Sequence, residues 1–252
     1  MGRRVLITGA SSGIGQALAK ELAARGDDLV LTARRVDALA ALRDEIRRAH
    51  PQRRVEIRAL DVTRYADVFP AVTDAAQALG GLDLVVANAG IGSNGPIGTG
   101  HFDADRATIE TNVIGAMATI DAAVALFRKQ NSGHVVAIAS VAAARGLPGS
   151  GSYSASKAAI AAYAESARIE LWHTPIRVTT LFPGYIDTPI NQDMKRRPFL
   201  VTVERGAKDV ADLIDRGVQE ATVPVFPWNF MWGLLKLMPA ALLARAVPSR
   251  KP

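Results

Sequence analysis

The segment Thr8-Gly9-Ala10-Ser11-Ser12-Gly13-Ile14-Gly15 joins a short apolar run at residues 4–8 to an apolar-periodic stretch at 14–25. An apolar run that short reads as a strand and a period near ~3.6 as a helix, so the order is strand, tight turn, helix. Glycine serves three purposes at such a junction. Gly9 permits the sharp turn, Gly13 lets backbone approach an anion such as a pyrophosphate, and Gly15 lets helix and strand lie close. The amides around Ser11, Ser12, Gly13 and Ile14 then face that anion, with the helix dipole behind them. Ordinary turns use the same residues, so the flanking strand and helix are what make the segment a phosphate cradle.

The alternation continues along the chain. Strand patterns at 29–33, 55–60, 82–87, 134–139, 177–182 and 223–226 alternate with helical patterns at 36–50, 65–79, 108–128, 152–172 and 208–220. Strands separated by helices of this length pair in parallel through right-handed crossovers. The expected fold is α/β, a Rossmann-type doubly wound parallel sheet with helices on both faces. A chain of 252 residues without internal repeats or low-complexity linkers is expected to form a single domain over 1–252.

The absence of cysteine excludes disulfides, thiolate ligands and a cysteine nucleophile, and suits a reducing compartment. His50, His101, His134 and His173 show no metal-ligand spacing and read as surface or loop histidines, so no metal is expected. A formal charge of +6 raises the question of nucleic acid. Arg47, Arg48, Arg53, Arg54 and Arg58 flank a helix and a strand without interleaved aromatics, which reads as a solvated face and not as a nucleic-acid groove. Arg3-Arg4 run directly into the first strand with no signal-peptide pattern, and a cytoplasmic location is expected.

The end of the chain is apolar. Residues 223–247 contain Pro224, Pro227, Trp228, Phe230, Trp232, Leu234, Leu235, Leu237 and Met238. Pro227, Lys236 and Pro239 interrupt this run well short of the ~20 apolar residues of a membrane span. Burial against the core, a second subunit or a substrate pocket is the expected outcome for this 223–252 extension. The alternative is a peripheral membrane contact, with Lys236, Arg245, Arg250 and Lys251 near lipid phosphates.

Tyr153-Ser154-Ala155-Ser156-Lys157 places a phenol and an ammonium one helical turn apart on one face. An ammonium at about 4 Å and an effective dielectric of ~20 favours the phenolate by up to ~4 kcal/mol before desolvation is subtracted. A phenol that titrates near ~10 in water would thereby exchange protons nearer neutral pH. An exposed polar pair has the same spacing, so the motif depends on its company. After the second strand stands Ala33-Arg34-Arg35, where an NAD-preferring site places an acid on the ribose hydroxyls. No carboxylate lies between Asp28 and Asp37. Two guanidinium groups suit a 2′-phosphate, so NADP(H) is expected in preference to NAD(H). Asp61-Val62 is placed to meet an adenine edge, although an aspartate capping a helix looks the same.

With these motifs in this order, the chain resembles the short-chain dehydrogenase/reductase family over residues 5–225. The resemblance rests on Thr8 to Gly15, Asp61-Val62, Asn88-Ala89-Gly90, Asn112, Ser140, Tyr153 with Lys157, and Pro183-Gly184 followed by Thr188; thirteen residues separate Ser140 from Tyr153. Ala87 departs from the family's usual Asn-Asn-Ala-Gly. The resemblance implies that Tyr153 is the acid in reduction and the base in oxidation. It also implies that Lys157 lowers the Tyr153 pKa and holds the nicotinamide ribose. Ser140 would donate to the substrate oxygen as negative charge develops there. Asn112 would hold a helix kink and a water for proton replenishment. Asn88, Ala89 and Gly90 would border the cofactor, and Pro183, Gly184, the Ile186 backbone and Thr188 would meet the nicotinamide.

The resemblance further implies that segment 191–206 closes the substrate pocket together with residues after Ser140. Val141, Ala142, Ala143, Leu147, Tyr185, Ile190 and Phe199 then favour a hydrophobic ketone or secondary alcohol. Lys195-Arg196-Arg197 would suit an acidic carrier or coenzyme A, so a 3-oxoacyl-thioester reductase is the alternative. An NADP(H)-sensing regulator without turnover is a third reading, opposed by the intact Ser140, Tyr153 and Lys157. A homodimer or homotetramer is implied too: Ala116, Ala118, Ala122 and Ala158, Ala159, Ala161, Ala162 allow close helix approach between subunits, or equally onto the sheet.

Overall fold

The computed structural model describes residues 2–92, 95–192, 194 and 196–246. Seven strands form one parallel sheet: β1 (Arg4–Thr8), β2 (Asp28–Ala33), β3 (Val55–Ala59), β4 (Leu84–Ala87), β5 (Gly133–Ile138), β6 (Ile176–Pro183) and β7 (Glu220–Val223). Their spatial order is β3-β2-β1-β4-β5-β6-β7. The connecting helices are α1 (Gly13–Ala24), α2 (Val36–Ala49), α3 (Tyr65–Leu79), α4 (Phe102–Ile109), α5 (Ala116–Gln130), α6 (Gly151–Glu170) and α7 (Val203–Arg216), followed by α8 (Trp228–Leu237) and α9 (Ala240–Ala246).

Side chains alternate across the strands and feed two cores. Val5, Ile7, Leu29, Leu31, Leu84 and Val86 face one way, with the buried residues of α1, α2 and α7. Leu6, Val30, Val85, Val135 and Val178 face the other, with those of α3, α5 and α6 and with Trp228. The strands read as continuous apolar runs because both faces are covered. Chain direction across the sheet reverses between β1 and β4, which pair from Val5–Leu84 to Ile7–Val86. A crevice for a ligand opens at such a switch point, beyond the carboxyl ends of the strands.

Five expectations need correction. The helix expected over 108–128 begins at Phe102 and changes to a π-helix over Glu110–Gly115 before α5 resumes. That 102–130 stretch is long and apolar enough to cross a membrane, yet half of its apolar window is buried in this fold, as in a core helix. The helix expected over 208–220 instead starts at Val203, because the Thr202 hydroxyl accepts from the Arg205 amide at 3.3 Å, and stops at Gly217, whose φ is 62°. The segment expected as a 191–206 substrate loop is therefore shortened at its far end, and the last strand runs Glu220–Val223 and not 223–226. His134 is not a surface histidine. It is buried in β5, bonded through Nε2 to Thr179 Oγ1 at 2.9 Å, and burial, helped by Arg177 and Arg3, lowers its pKa to about 4.

Several arginines expected on a solvated face are structural. Arg54 pairs with Asp28 at 3.0 Å and donates to the Leu79 carbonyl, Arg47 donates to the Val55 carbonyl at 2.6 Å, and Arg53 donates to the Gly26 carbonyl. Burial of the apolar end is only half realised. Trp228 is buried and Met231, Trp232 and Leu235 pack beside it, whereas Phe226, Phe230, Leu234 and Leu237 are exposed. Val247, Arg250 and Lys251 lie outside the described residues.

Candidate active site

The first turn is fixed by close approach. Gly9 has φ 69°, and a Cβ there would sit 2.6 Å from Ala89 Cα. Thr8 Oγ1 donates to the Val86 carbonyl at 3.3 Å and accepts the Asn88 and Ala89 amides at 3.1 Å, which ties β1 to the end of β4. Asn88 Nδ2 donates to the Thr8 and Gly9 carbonyls at 2.9 and 3.2 Å. A Cβ on Gly15 would meet that Nδ2 at 2.5 Å and the Gly9 carbonyl oxygen at 2.6 Å. Asn88 thus spends its amide on the glycine turn, and Thr8 is a hub that its place before Gly9 did not announce.

The other predicted cofactor residues surround this turn. Gly13 has φ 58°, and its missing Cβ would face the Thr188 side chain at 3.5 Å. Thr188 Oγ1 donates to the Ile186 carbonyl at 3.1 Å, and Asn191 Nδ2 donates to the same oxygen at 2.8 Å. At the end of β2, Arg35 Nη2 donates to Ser11 Oγ at 3.0 Å and Ser12 Oγ at 2.7 Å. Arg34 beside it is exposed. Asp61 accepts from the Thr63 amide and hydroxyl at 3.0 and 2.8 Å, so it shapes a turn and does not cap α3, whose first residue follows Arg64. Val62 packs on Gly115, where a Cβ would come within 2.7 Å of it.

Asn112 lies in the π-helical turn, a form that α-helices adopt as a local bulge, often at functional sites. Its Oδ1 accepts the Ile91 amide at 2.8 Å, while Nδ2 donates to the Ile91 carbonyl at 2.8 Å and Ser156 Oγ at 3.1 Å. Both amide hydrogens are thereby committed. The side chain fastens the loop after β4 to α6, and Ser156 emerges as the partner that the sequence did not single out. A Cβ on Gly90 would lie 3.2 Å from Asn112 Oδ1 and 3.5 Å from Lys157 Nζ, so these three residues converge.

Ser140 follows β5 and caps a short 3-10 turn, Val141–Ala144, accepting the Ala142 amide at 3.1 Å and donating to the Pro183 carbonyl at 3.3 Å. Its hydroxyl also lies near that of Tyr153. Burial raises the Tyr153 pKa, the Ser140 hydrogen bond opposes that rise, and nearby Tyr185 adds to it. Lys157 is buried, with Nζ 5.8 Å from the Tyr153 ring centroid, and donates to the Ile138 carbonyl at 2.9 Å. Burial lowers its pKa to about 8. The expectation that the ammonium pulls the phenol down is therefore corrected: the lysine points to the end of β5, and desolvation dominates both groups.

The side expected to face the substrate is aromatic. Tyr185 and Phe199 lie 5.9 and 5.7 Å from Trp228, centroid to centroid, and Phe182 lies 4.4 Å from Trp232. A Cβ on Gly184 would fall inside the Trp228 indole. Arg145 fastens this end by donating to the Met238 carbonyl. Val141 and Ala142 are buried, and Ile190 packs beside Gly92. Lys195 lies outside the described residues, and Arg197 pairs with Asp187 at 2.5 Å. A separate open groove of about 480 Å³ lined by α1 and α7 borders Ser12 and Gly13 but includes none of Ser140, Tyr153 or Lys157.

Residues 3–198 match the short chain dehydrogenase family, and the chain belongs to it. An oxidoreductase of Mycobacterium tuberculosis, itself described as uncharacterized, is 38% identical over 244 residues, covering 96% of each chain. Among solved structures, an alcohol dehydrogenase from Thermococcus sibiricus complexed with 5-hydroxy-NADP superposes with TM-score 0.79 at 29% identity, covering 87% of this chain and 95% of its own. A family member from Burkholderia phymatum in complex with NAD has TM-score 0.84 at 23% identity, covering 100% of this chain and 98% of its own, a likeness of fold alone. The family is one of oxidoreductases acting on CH–OH and C=O groups. Those two structures hold different nicotinamide cofactors, so the choice between them must be argued from this chain's own residues.

Proposed function

We propose that this protein is an NADP(H)-dependent oxidoreductase interconverting a hydrophobic ketone and a secondary alcohol. The observation that carries the reading is the approach of the Ser140 and Tyr153 hydroxyls, with buried Lys157 on the next turn of the same helix. The cradle fits a dinucleotide: Gly9 and Gly13 hold positive φ, and the Gly13 backbone lies open toward Thr188. Gly9, Ser11, Ser12, Gly13, Ile14 and Gly15 would hold the pyrophosphate on a turn braced by Arg35, Arg34 would meet a 2′-phosphate, and Asp61 and Val62 the adenine side. Gly90, Lys157, Pro183, Gly184, Ile186 and Thr188 would border the nicotinamide half. When bound, the nicotinamide supplies or takes the hydride.

In reduction, Tyr153 gives its hydroxyl proton to the carbonyl oxygen as the carbon gains the hydride, and Ser140 donates a hydrogen bond to that oxygen. Oxidation reverses both proton movements. Lys157, charged below its pKa of about 8, would hold the nicotinamide ribose. The aromatic wall of Tyr185, Phe199 and Trp228 favours an apolar substrate. Arg197 is already neutralised by Asp187, which weakens the 3-oxoacyl-thioester alternative. Competition by acyl-carrier or coenzyme A thioesters for ketone turnover tests that alternative. Assembly into a homodimer or homotetramer would use the exposed Ala158, Ala159 and Ala162 of α6, and the reaction belongs in the cytosol.

The test is NADPH-dependent reduction of apolar ketones by the parent and by Tyr153→Phe. Loss of the acid is expected to lower kcat by roughly 10²–10⁴-fold with NADPH affinity retained. Equal turnover by the two proteins would refute the role of Tyr153. Biological activity untouched by the substitution would favour the sensing regulator.

A further inference from the structure

The outer face of the α8–α9 hairpin has no partner among the described residues, although the inner face is built into the protein. On α8, Trp228, Met231, Trp232 and Leu235 point inward at helical spacing. Phe230, Leu234 and Leu237 occupy the opposite side and Phe226 precedes it, with Phe226 79%, Phe230 70% and Leu237 84% exposed. Leu242 on α9 extends the patch, while Leu243 next to it is buried. The described polar side chains exposed on these two helices are Asn229, Lys236 and Arg245. A helix apolar on both sides needs a medium as well as a core.

The charge pattern indicates which medium. All 24 Asp and Glu of the chain lie at or before Glu220, and the residues after it carry four cations, Lys236, Arg245, Arg250 and Lys251, with no acid. Elsewhere both signs are interspersed and pair in salt bridges, as Arg25 does with Glu21, Asp212 and Asp215. Lys236 instead lies 5.0 Å from the Trp232 ring centroid. A second copy related by a two-fold axis would bring the same cations face to face with no acid to receive them. A lipid surface offers hydrocarbon to the phenylalanines and leucines and phosphate to the cations. Ten and seven residues are too short to cross it, so the helices lie in its plane.

We infer that the outer face of α8 and α9 docks this protein on an anionic bilayer, with Phe226, Phe230, Leu234, Leu237 and Leu242 in the acyl boundary and Lys236 and Arg245 at the phosphates. The inner face of α8 meanwhile carries Trp228, beside Tyr185 and Phe199, so docking sets the aromatic wall next to the membrane. The docking itself requires neither cofactor nor substrate, and it stands or falls separately from the proposed reaction.

Flotation of the full chain with phosphatidylcholine vesicles, with and without phosphatidylglycerol, tests it. The parent is expected to float with the anionic vesicles and to be released by salt. The Phe230→Asp/Leu237→Asp variant is expected to lose about tenfold or more in vesicle affinity. Lys236→Glu/Arg245→Glu is expected to lose about fivefold or more for each cation reversed on anionic vesicles. Unchanged near-ultraviolet circular dichroism shows that each variant is folded, and a variant that fails this check is replaced by Phe230→Ser/Leu237→Ser. Absence of parent flotation, or flotation indifferent to both substitutions, overturns the inference. So does a parent that ignores vesicles but forms an assembly that Phe230→Asp/Leu237→Asp halves in mass, which would assign the face to a second copy.

Discussion

Replacing Arg34 by aspartate should convert cofactor selectivity, and its comparison with Arg35→Ala should separate two arginines that the sequence presents as equivalent. Arg35 is held by Ser11 and Ser12 at 3.0 and 2.7 Å, so it braces the glycine turn on which any dinucleotide rests. Arg34 is exposed and has no hydrogen bond or salt bridge among the described residues, which leaves its guanidinium available to a 2′-phosphate. A charge-assisted hydrogen bond is worth about 1.5–3 kcal/mol, and about 1.4 kcal/mol is tenfold in affinity. Arg34→Asp should therefore weaken NADPH by about 10–100-fold while leaving NADH equal or tighter, because the new carboxylate can accept from ribose hydroxyls. Arg35→Ala should instead weaken both cofactors by similar factors. Fluorescence titration of each protein with NADPH and NADH at fixed ionic strength reads both outcomes. Equal affinity of the parent for the two cofactors would refute the 2′-phosphate assignment, and selective loss of NADPH in Arg35→Ala alone would move it to Arg35.

Two further changes probe the fold around the site. Gly184→Ala pushes a methyl into the Trp228 indole and should cost about 1–3 kcal/mol of stability, with a raised KM for apolar ketones and little change in NADPH affinity. A thermal midpoint and KM equal to the parent's would show that α8 moves aside freely. His134 gives a pH signature: its folded pKa of about 4 lies below the usual 6.5, so the unfolded chain binds the proton first as pH falls. Stability should be full above about 6.5 and decline by up to ~3 kcal/mol as pH falls to about 4, and His134→Gln should flatten that slope in urea unfolding at several pH values. An unchanged slope in His134→Gln would assign the acid sensitivity to other groups.

The glycine turn and the alternation of strands with helices were legible because each is written locally, in residues whose backbone freedom or periodicity has few alternatives. The π-helical turn was legible only as the helix kink that the resemblance puts at Asn112. Residues Glu110 to Gly115 carry no breaker unique to that form, and the turn coincides with Asn112 being bound by both backbone groups of Ile91, a contact 21 positions away in sequence. His134 fits a strand pattern, but its burial depends on Thr179 of the neighbouring strand, which only the sheet register brings near. The apolar end shows the same limit from the other side. Its sequence is apolar in every direction, so the choice of Trp228 over Phe230 for the interior appears only once Gly184 provides space for the indole.

The spacing of Tyr153 and Lys157 was read correctly as one helix face, yet its electrostatic consequence came out reversed, and the reason bears on the reaction. A lysine buried on α6 needs an acceptor, and the Ile138 carbonyl at the end of β5 provides one at 2.9 Å. With Nζ held there, desolvation pushes the phenol up and the ammonium down, and the Ser140 hydrogen bond offsets only part of the rise. The pair therefore holds its proton on Tyr153 at neutral pH. That is the acid form required for reduction, whereas oxidation first needs the phenol to lose its proton. The protein's own groups thus keep Tyr153 in its acid form at neutral pH. Measuring parent and Tyr153→Phe in both directions across pH reads this directly: oxidation should gain with alkalinity more than reduction does, and an equal response in both directions would place the proton elsewhere.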